Sequence, residues 1–240
     1  MMAILQIKGF RKRFTIHQSN KKLLAVEGID FSLEAGEFIG IVGKSGSGKS
    51  TILKSIYRTH LPDAGEILYH SGGFGMVDMA KISERKVLYL RKYEIGYISQ
   101  SLNVRANTTC RELVTNVLLD VGESEDAASQ EAEKALTLFE LDPTLWDSYP
   151  DVLSKSDKLR LSIAMAIVKK PRLILLDEPT AGLDQEDKLK MRKVIEKLQQ
   201  KGVTLVGVFH DIEFMEGLCD KVYDMKSRKL TVAEKENIES

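Results

Sequence analysis

Nine consecutive residues of this chain have the types and the spacing that can hold a phosphate group. Gly43, Gly48, Lys49 and Ser50 occupy the fixed positions of the pattern G-x-x-x-x-G-K-[ST]. In such a loop, successive backbone N–H groups point inward at phosphate oxygens, the lysine reaches the outer phosphates, and the serine hydroxyl ligates Mg²⁺. We expect a phosphate-bearing ligand to contact Gly43, Lys44, Ser45, Gly46, Ser47, Gly48, Lys49, Ser50 and Thr51.

The residues on either side predict the elements that this loop requires. The apolar run at residues 38–42 is typical of a buried strand, and residues 52–58 predict a helix. A helix that begins at the loop directs the positive end of its dipole at the bound phosphates. The alternative is a flexible Gly/Ser loop between two elements, and a second part of the site is needed to decide between them.

An acidic pair supplies that second part. Residues 173–176 form a continuous apolar run that closes at Asp177, as expected of a parallel strand covered on both faces. Asp177 would hold Mg²⁺ through water, because this ion keeps most of its hydration shell. Glu178 would polarise an attacking water as a general base. The alternative is an acidic strand end that caps a helix. The presence of a phosphate-binding stretch in the same chain favours the Mg²⁺ site over this alternative.

Length and composition exclude several classes of function. The chain has 240 residues, of which 43% are hydrophobic, which suits one large domain with a full core. Lys+Arg and Asp+Glu number 35 each, so the formal net charge is zero and gives no electrostatic case for nucleic acid. Cys110 and Cys219 lack metal-ligand spacing and are expected to be buried in a reducing compartment. We find no signal peptide and no run of ~20 apolar residues, so we expect a cytoplasmic chain.

The first part of the chain has the patterns of β structure. Apolar and polar residues alternate at residues 5–9 and 29–33, which predicts two strands. The basic segment at residues 11–22 is expected to be a solvated loop. Residues 66–69 and 74–78 predict a hairpin about a Ser-Gly-Gly turn. These patterns indicate an antiparallel β layer.

The middle of the chain changes to helical spacing. A capping box at Thr109 and Glu112 predicts one helix start, and residues 124–140 predict a second helix. Apolar residues at i, i+4 and i+8 from Leu159 mark a third. We therefore expect an inserted all-helical subdomain at about residues 101–168.

Strands and helices alternate again after that segment. Residues 203–209 predict a buried strand, and residues 185–201 predict an amphipathic helix capped by Gly202. A short helix is expected at residues 212–220, followed by a mostly polar tail from Lys226. Strands that alternate with helices, with functional residues at strand ends, indicate a doubly wound α/β core.

These motifs, together with Gln100 and residues 175–184 and 209–211, resemble the nucleotide-binding domain of ATP-binding cassette (ABC) proteins. The resemblance covers nearly the whole chain. It implies a single domain, residues 1–240, with a P-loop NTPase core of mostly parallel sheet between helices at residues 1–100 and 169–240. It also implies a Mg²⁺-dependent ATPase that works as a head-to-tail dimer, with two ATPs between the protomers.

The resemblance assigns roles to further single residues. Gln100 corresponds to the glutamine that senses Mg²⁺ and the attacking water, and His210 to the switch histidine that contacts the γ-phosphate. Asp184 corresponds to the aspartate that couples the two sites across the dimer, and Phe14 to the aromatic that stacks on adenine. Each has a simpler alternative. Gln100 could be a polar strand end, and His210 a satisfied histidine at a sheet edge. Asp184 could be a helix N-cap, and Phe14 a core aromatic.

One segment departs from the family. Most members have Leu-Ser-Gly-Gly-Gln/Glu where this chain has Leu153-Ser154-Lys155-Ser156-Asp157. In the family this segment contacts the γ-phosphate of the partner's ATP. Ser154 keeps the hydroxyl donor, but both glycines are lost and a carboxylate is added near phosphate. Our hypothesis is that the chain binds ATP through its own loop and completes a partner's site poorly.

Stretches outside the catalytic motifs are similar to the L subunit of the phosphonate carbon–phosphorus lyase system. They are residues 14–18, 55–57, 61–65, 97–102 and 206–211. This similarity implies a part in ribose 1-methylphosphonate 5-triphosphate synthesis, with the carbon–phosphorus lyase core complex as partner. The dimer would be a homodimer or a heterodimer with a K-subunit-like ABC protein.

Two alternatives to this role remain open. The chain could be the ATPase subunit of a membrane transporter, such as a lipoprotein- or peptide-exporting system. It would then lie at the inner membrane, bound to a permease. It could also be an assembly module that binds ATP and hydrolyses little.

Overall fold

The structure, a computed structural model, describes residues 3–16, 21–99, 102 and 107–233. In this part the strands are β1 (Ala3–Ile16), β2 (Lys21–Glu34), β3 (Phe38–Val42), β4 (Ala64–Ser71), β5 (Gly75–Asp78), β6 (Ile95–Ile98), β7 (Leu173–Asp177), β8 (Thr204–Val208), β9 (Lys221–Asp224) and β10 (Lys229–Val232). The helices are α1 (Lys49–Ile56), α2 (Glu84–Tyr93), α3 (Cys110–Val121), α4 (Glu125–Leu138), α5 (Lys155–Ile167), α6 (Gln185–Gln200) and α7 (Ile212–Met215).

The first sheet is antiparallel, with the strand order β2-β1-β4-β5. The predicted strands and hairpin are confirmed, but the solvated loop predicted at residues 11–22 is wrong for most of its length. Strand β1 extends to Ile16 and β2 begins at Lys21, with Arg11 opposite Glu27 and Phe14 opposite Leu23. Several register shifts interrupt this ladder. Because each shift breaks the two-residue alternation, the pattern in the sequence ends before the strand does.

The second sheet carries the predicted α/β core, with the strand order β10-β9-β3-β8-β7-β6. Strands β6, β7, β8, β3 and β9 are parallel, and β10 pairs antiparallel with β9 at the edge. The mixed α/β fold is therefore as predicted. Two strands were missed, since β9 precedes the expected polar tail and β10 lies within it. Both strands have only four residues and little apolar character, so their sequence gives a weak signal.

The parallel sheet has one hydrophobic core on each face. Ile39 and Ile41 pack in the core that includes β1 and α1, whereas Phe38 packs in the core that includes α3, α5 and α6. Successive side chains of a strand point to opposite faces. Both faces are covered, and this explains the continuous apolar run in β3.

Helices α3, α4 and α5 pack against one another between β6 and β7 in the chain. The predicted capping box is present, because the Thr109 side chain accepts from the Glu112 N–H and the Glu112 carboxylate accepts from the Thr109 N–H. The extent of a helical subdomain at about residues 101–168 stays a prediction, since residues 103–106 lie outside the described ones. Among the described residues, every helix is too short or too polar to traverse a lipid bilayer.

Candidate nucleotide-binding site

The predicted phosphate-binding stretch joins the end of β3 to the start of α1. Within it, the Lys49 side chain folds back, and its Nζ donates to the carbonyls of Gly43 at 2.8 Å and Lys44 at 3.1 Å. The Ser47 N–H also donates to the Lys44 carbonyl. Burial lowers the pKa of Lys49, and the nearby carboxylates of Glu178 and Asp177 oppose that shift. The Lys49 ammonium is therefore held against the loop, where it can contact a bound phosphate.

Gly48 is the N-cap residue that directly precedes α1, and its position requires a glycine. Its φ is +90°, a left-handed conformation that side chains disfavour. A Cβ at Gly48 would overlap the Val26 side chain and lie 2.6 Å from the Ala25 carbonyl oxygen. Strand β2 therefore packs directly on the loop, and the glycine lets it do so.

Asp177 lies at the end of β7 and has two different carboxylate oxygens. Oδ2 accepts a hydrogen bond of 2.5 Å from the Tyr97 hydroxyl, while Oδ1 is buried and has no hydrogen-bond partner among the residues that the structure describes. Mg²⁺ is a hard cation that takes oxygen ligands, directly or through water. A buried carboxylate oxygen without a protein partner fits such an ion. The residues that would hold it with Asp177 are Ser50 and Gln100, and Gln100 lies outside the described residues.

Glu178 and His210 form a pair at the ends of neighbouring strands. The Glu178 Oε1 lies 2.6 Å from His210 Nε2, and the Glu178 N–H donates to the Val208 carbonyl. Glu178 has a φ of +54°, which is uncommon for a residue with a side chain. Such outliers persist where the surrounding structure holds them, and they cluster at functional sites. The pair presents a carboxylate and an imidazole that can exchange or hold a proton.

The structure brings the loop and the acidic pair together. Both Asp177 and Glu178 act electrostatically on Lys49, although they lie far from it in sequence. His210 joins them through Glu178. The roles given to these residues stay predictions, while their proximity is a property of the fold.

Asp184 and Phe14 have local contacts in this chain. The Asp184 Oδ1 accepts from the Asp187 N–H at 2.8 Å and thereby caps α6, as the simpler alternative expects. Phe14 is partly exposed, and its ring packs edge-on against His60 at 5.2 Å with the Lys12 ammonium 5.4 Å away. Their roles in a dimer and in adenine stacking stay predictions.

Ser154 caps α5 and is engaged within its own chain. Its hydroxyl donates to Asp157 Oδ2 at 2.6 Å and accepts from the Asp157 N–H at 3.1 Å. The Lys155 ammonium lies 3.3 Å from the point where a Cβ at Gly182 would stand. The difference from the family sequence therefore changes the hydrogen bonding of this segment, because Asp157 accepts a hydrogen bond from the Ser154 hydroxyl.

Tyr97 is a site residue that the motifs did not identify. It stands on β6 opposite Leu175 of β7, two residues from Asp177. A tyrosine in an otherwise apolar strand, next to a strand that ends in an acid, is the sequence signal that could have indicated the contact. Using it requires knowledge that β6 and β7 are neighbours.

The comparisons with known proteins agree on one family. The family described as ABC transporter matches residues 26–181. The cell division ATP-binding protein FtsE of Bacillus subtilis (strain 168) is 32% identical over 198 residues, which are 82% of this chain and 84% of that protein. The methionine import ATP-binding protein MetN of Haemophilus influenzae (strain 86-028NP) is 29% identical over 222 residues. The macrolide export ATP-binding/permease protein MacB of Rhodopirellula baltica is 30% identical over 226 residues.

The matched lengths differ among these relatives. The alignments cover 91% and 93% of this chain, but only 61% of MetN and 32% of MacB. Among solved structures, the dimeric post-hydrolysis state of the ATP-binding cassette MJ0796 bound to ADP and Pi superposes with a TM-score of 0.84 at 25% identity. That superposition covers 96% of this chain and 99% of the other. From its fold, its motifs and these matches, we conclude that this chain belongs to the ABC transporter family, as an ATP-binding cassette ATPase.

Proposed function

We propose that this chain is the ATP-binding and ATP-hydrolysing subunit of an ABC transporter-type system, paired with a membrane permease. The observation that carries hydrolysis is the Glu178–His210 pair beside Lys49 and Asp177. The names of the relatives support the transport part, since two of them describe import and export. None of the three names refers to phosphonate chemistry. The transporter alternative is therefore better supported than the carbon–phosphorus lyase role.

The proposed reaction uses groups already held in position. The backbone N–H groups of the loop and the Lys49 ammonium bind the phosphates, and phosphate oxygens replace the carbonyls that Lys49 now contacts. Glu178 accepts a proton from water as the water oxygen bonds to the γ-phosphorus and the bond to the ADP oxygen breaks. His210 holds the Glu178 carboxylate through its Nε2. A bound Mg²⁺ would neutralise phosphate charge, held by Asp177, Ser50 and Gln100.

Glu178→Gln tests the hydrolytic part. The amide keeps the size of the side chain but removes the base, so we expect hydrolysis to fall by about 10²- to 10⁴-fold while ATP affinity is retained. Phosphate release by the purified chain and titration with a fluorescent ATP analogue measure the two quantities. Lys49→Ala is the matched change that should lose binding. Wild-type turnover in the glutamine variant would contradict the role of Glu178.

Copurification tests the transport part. The full chain, tagged in its native host, is expected in the membrane fraction together with a multi-spanning protein. Permease genes beside its own gene would support the same conclusion. Recovery in a soluble complex with phosphonate-degrading subunits would instead favour the carbon–phosphorus lyase role.

A further inference from the structure

We propose that Tyr97 is a positioning residue that sets which oxygen of Asp177 faces the metal side of the nucleotide site. The inference rests on the proposed function, because it assigns a role toward the Mg²⁺ of a bound Mg-ATP. It concerns a hydroxyl group that belongs to none of the catalytic motifs considered above, since Tyr97 entered only in the stretch at residues 97–102. Tyr97 touches neither phosphate nor water in this proposal, and it acts only through Asp177.

The hydrogen bond from Tyr97 to Asp177 is short and directed. The phenol donates to Oδ2 at 2.5 Å, the short range expected when an O–H group donates to a carboxylate. A tyrosine hydroxyl is an O–H donor, and a carboxylate oxygen can only accept, so the direction of this hydrogen bond is fixed.

The consequence for Asp177 is that its two oxygens are no longer equivalent. Because Oδ2 is bound to Tyr97, the carboxylate cannot rotate freely about its own axis. Within the described part of the chain, Oδ1 is left buried and without a hydrogen-bond partner. A buried acceptor in that state is costly unless a ligand or a water satisfies it. The hydrogen bond thus presents one prepared oxygen, as outer-shell partners do for metal-ligating carboxylates.

The Tyr97 ring is held in place by packing from a second direction. Its ring centroid lies 5.0 Å from that of Tyr57, which follows α1. The Arg91 guanidinium lies 4.6 Å from the Tyr57 ring, and its Nε donates to the Tyr57 carbonyl at 2.9 Å. Tyr57, which follows α1, therefore packs against Tyr97, and Tyr97 in turn binds the Asp177 carboxylate. A phenylalanine at position 97 would keep this packing and lose only the hydroxyl.

Tyr97→Phe separates the packing of the ring from the hydrogen bond of the hydroxyl. Binding of a non-hydrolysable ATP analogue is measured by calorimetry with Mg²⁺ and with EDTA, and the ratio of the two affinities reports on the metal. We expect the ratio to fall by about 10-fold or more in Tyr97→Phe, the range seen for outer-shell partners, with the EDTA affinity unchanged. Tyr57→Phe removes a hydroxyl from the adjacent ring and should keep the wild-type ratio. A wild-type ratio in Tyr97→Phe would overturn the proposal.

Two further measurements separate the effect of the hydroxyl from that of the ring and of the fold. Incorporation of 3-fluorotyrosine at position 97 keeps the hydroxyl and should keep the ratio within about twofold of the wild type. If the affinity ratio falls equally with phenylalanine and with 3-fluorotyrosine at position 97, the proposal is overturned, because the loss would not be caused by removal of the hydroxyl. Binding is compared below the melting temperature of every variant. If the wild-type chain itself binds no Mg-nucleotide, the proposed function fails, whereas normal wild-type binding with an unchanged Tyr97→Phe ratio rejects this inference alone.

Discussion

Individual residues of the candidate site have hydrogen-bond partners within the chain. The Lys49 ammonium is bound to two loop carbonyls, Glu178 to His210, and one oxygen of Asp177 to Tyr97. The contacts of Glu178 and Asp177 restrict the rotation of both carboxylates, and such preorganisation lowers the entropy cost of binding. Ser154 is different, because its hydroxyl is tied to an aspartate that most family members lack.

Restoring the family's signature sequence tests the effect of that aspartate. We expect the triple change K155G/S156G/D157Q to raise ATP turnover at least about tenfold, because it frees the Ser154 hydroxyl and removes a carboxylate near the partner's phosphate. The gain in turnover should stay below about 10²- to 10³-fold, which is the effect of one hydrogen-bond donor that stabilises negative charge in the transition state. Steady-state phosphate release measures it.

The control for the signature change removes the donor itself. Adding Ser154→Ala to the triple variant should cancel the gain, since the freed hydroxyl is then absent. Equal turnover in the wild type and the triple variant would mean that this segment does not limit hydrolysis.

At the scale of elements, the site is assembled where neighbouring strands end. The parallel strands β3, β7 and β8 end at the same edge of the sheet, and the residues that follow them are Gly43, Glu178 and His210 or their close neighbours. Strand β6 adds Tyr97 from the other side of β7. The core helix α1 begins in the loop, so the start of one helix and the ends of four strands determine the geometry.

The fit of β2 against the start of α1 gives a prediction about the loop. Gly48→Ala should lower the melting temperature and abolish ATP binding, because a Cβ there meets Val26 and the Ala25 carbonyl in addition to the left-handed backbone. Gly46→Ala is the matched control, since Gly46 also has a positive φ but a Cβ there meets no atom within 4 Å. Gly46→Ala should lower the free energy of unfolding only by the conformational strain of a left-handed residue, about 1–2 kcal/mol.

Calorimetric melting and nucleotide titration of both glycine variants measure these effects. Equal losses in the two variants would show that conformation alone matters and that the packing of β2 on the loop does not.

Lys169, just after α5, connects the helical segment to the core and predicts a pH effect. Its Nζ donates to the carbonyls of Arg91 and of Ile95, the latter at 3.0 Å. Burial lowers its pKa to about 8. Between that value and the ordinary lysine value, the unfolded chain binds more protons than the folded one, so stability rises with pH through this group. Between pH 7 and pH 9, the free energy of unfolding of the wild type should therefore rise by on the order of 1 kcal/mol relative to that of Lys169→Met.

Urea unfolding at the two pH values checks the lysine prediction. Lys193→Met makes the same chemical change at an exposed position of α6, without removing a buried amine. Parallel pH profiles for the wild type and Lys169→Met would contradict the prediction.

At the scale of the whole molecule, the open question is how two cassettes meet. The similar structure of MJ0796 is described as dimeric. The predicted contacts of Ser154 and Asp184 require a second protomer. The resemblance implies a head-to-tail arrangement in which each signature segment meets the partner's phosphate loop.

Nucleotide-dependent assembly gives the prediction at this scale. With Mg-ATP, Glu178→Gln should elute as a dimer in size-exclusion chromatography, because ATP between the protomers is not consumed. The wild type should return to the monomer after hydrolysis. Identical elution of the two proteins would mean that hydrolysis does not limit dimer lifetime. That result would favour the alternative of an assembly module with little turnover.

Much of the fold could be predicted because its signals are local. The phosphate loop, the capping box at Thr109 and the apolar run before Asp177 each lie within a few consecutive residues. Strands β9 and β10 could not be predicted in this way. Strand β9 forms because it pairs with β3, which is far away in the sequence, and β10 then pairs with β9. The same holds for the second halves of β1 and β2, where register shifts remove the alternation.

The sequence by itself determined the chemistry of the site. The order of glycine, lysine, serine and the acidic pair predicts a Mg-nucleotide site, because such residues supply the backbone N–H groups, the ammonium and the carboxylates that it needs. Only the tertiary structure decided which partners hold them. Tyr97 binds Asp177, and His210 binds Glu178, across strands that are distant in sequence. Hydrogen bonds depend on distance and direction in space, and these are determined by the pairing and packing of the sheet.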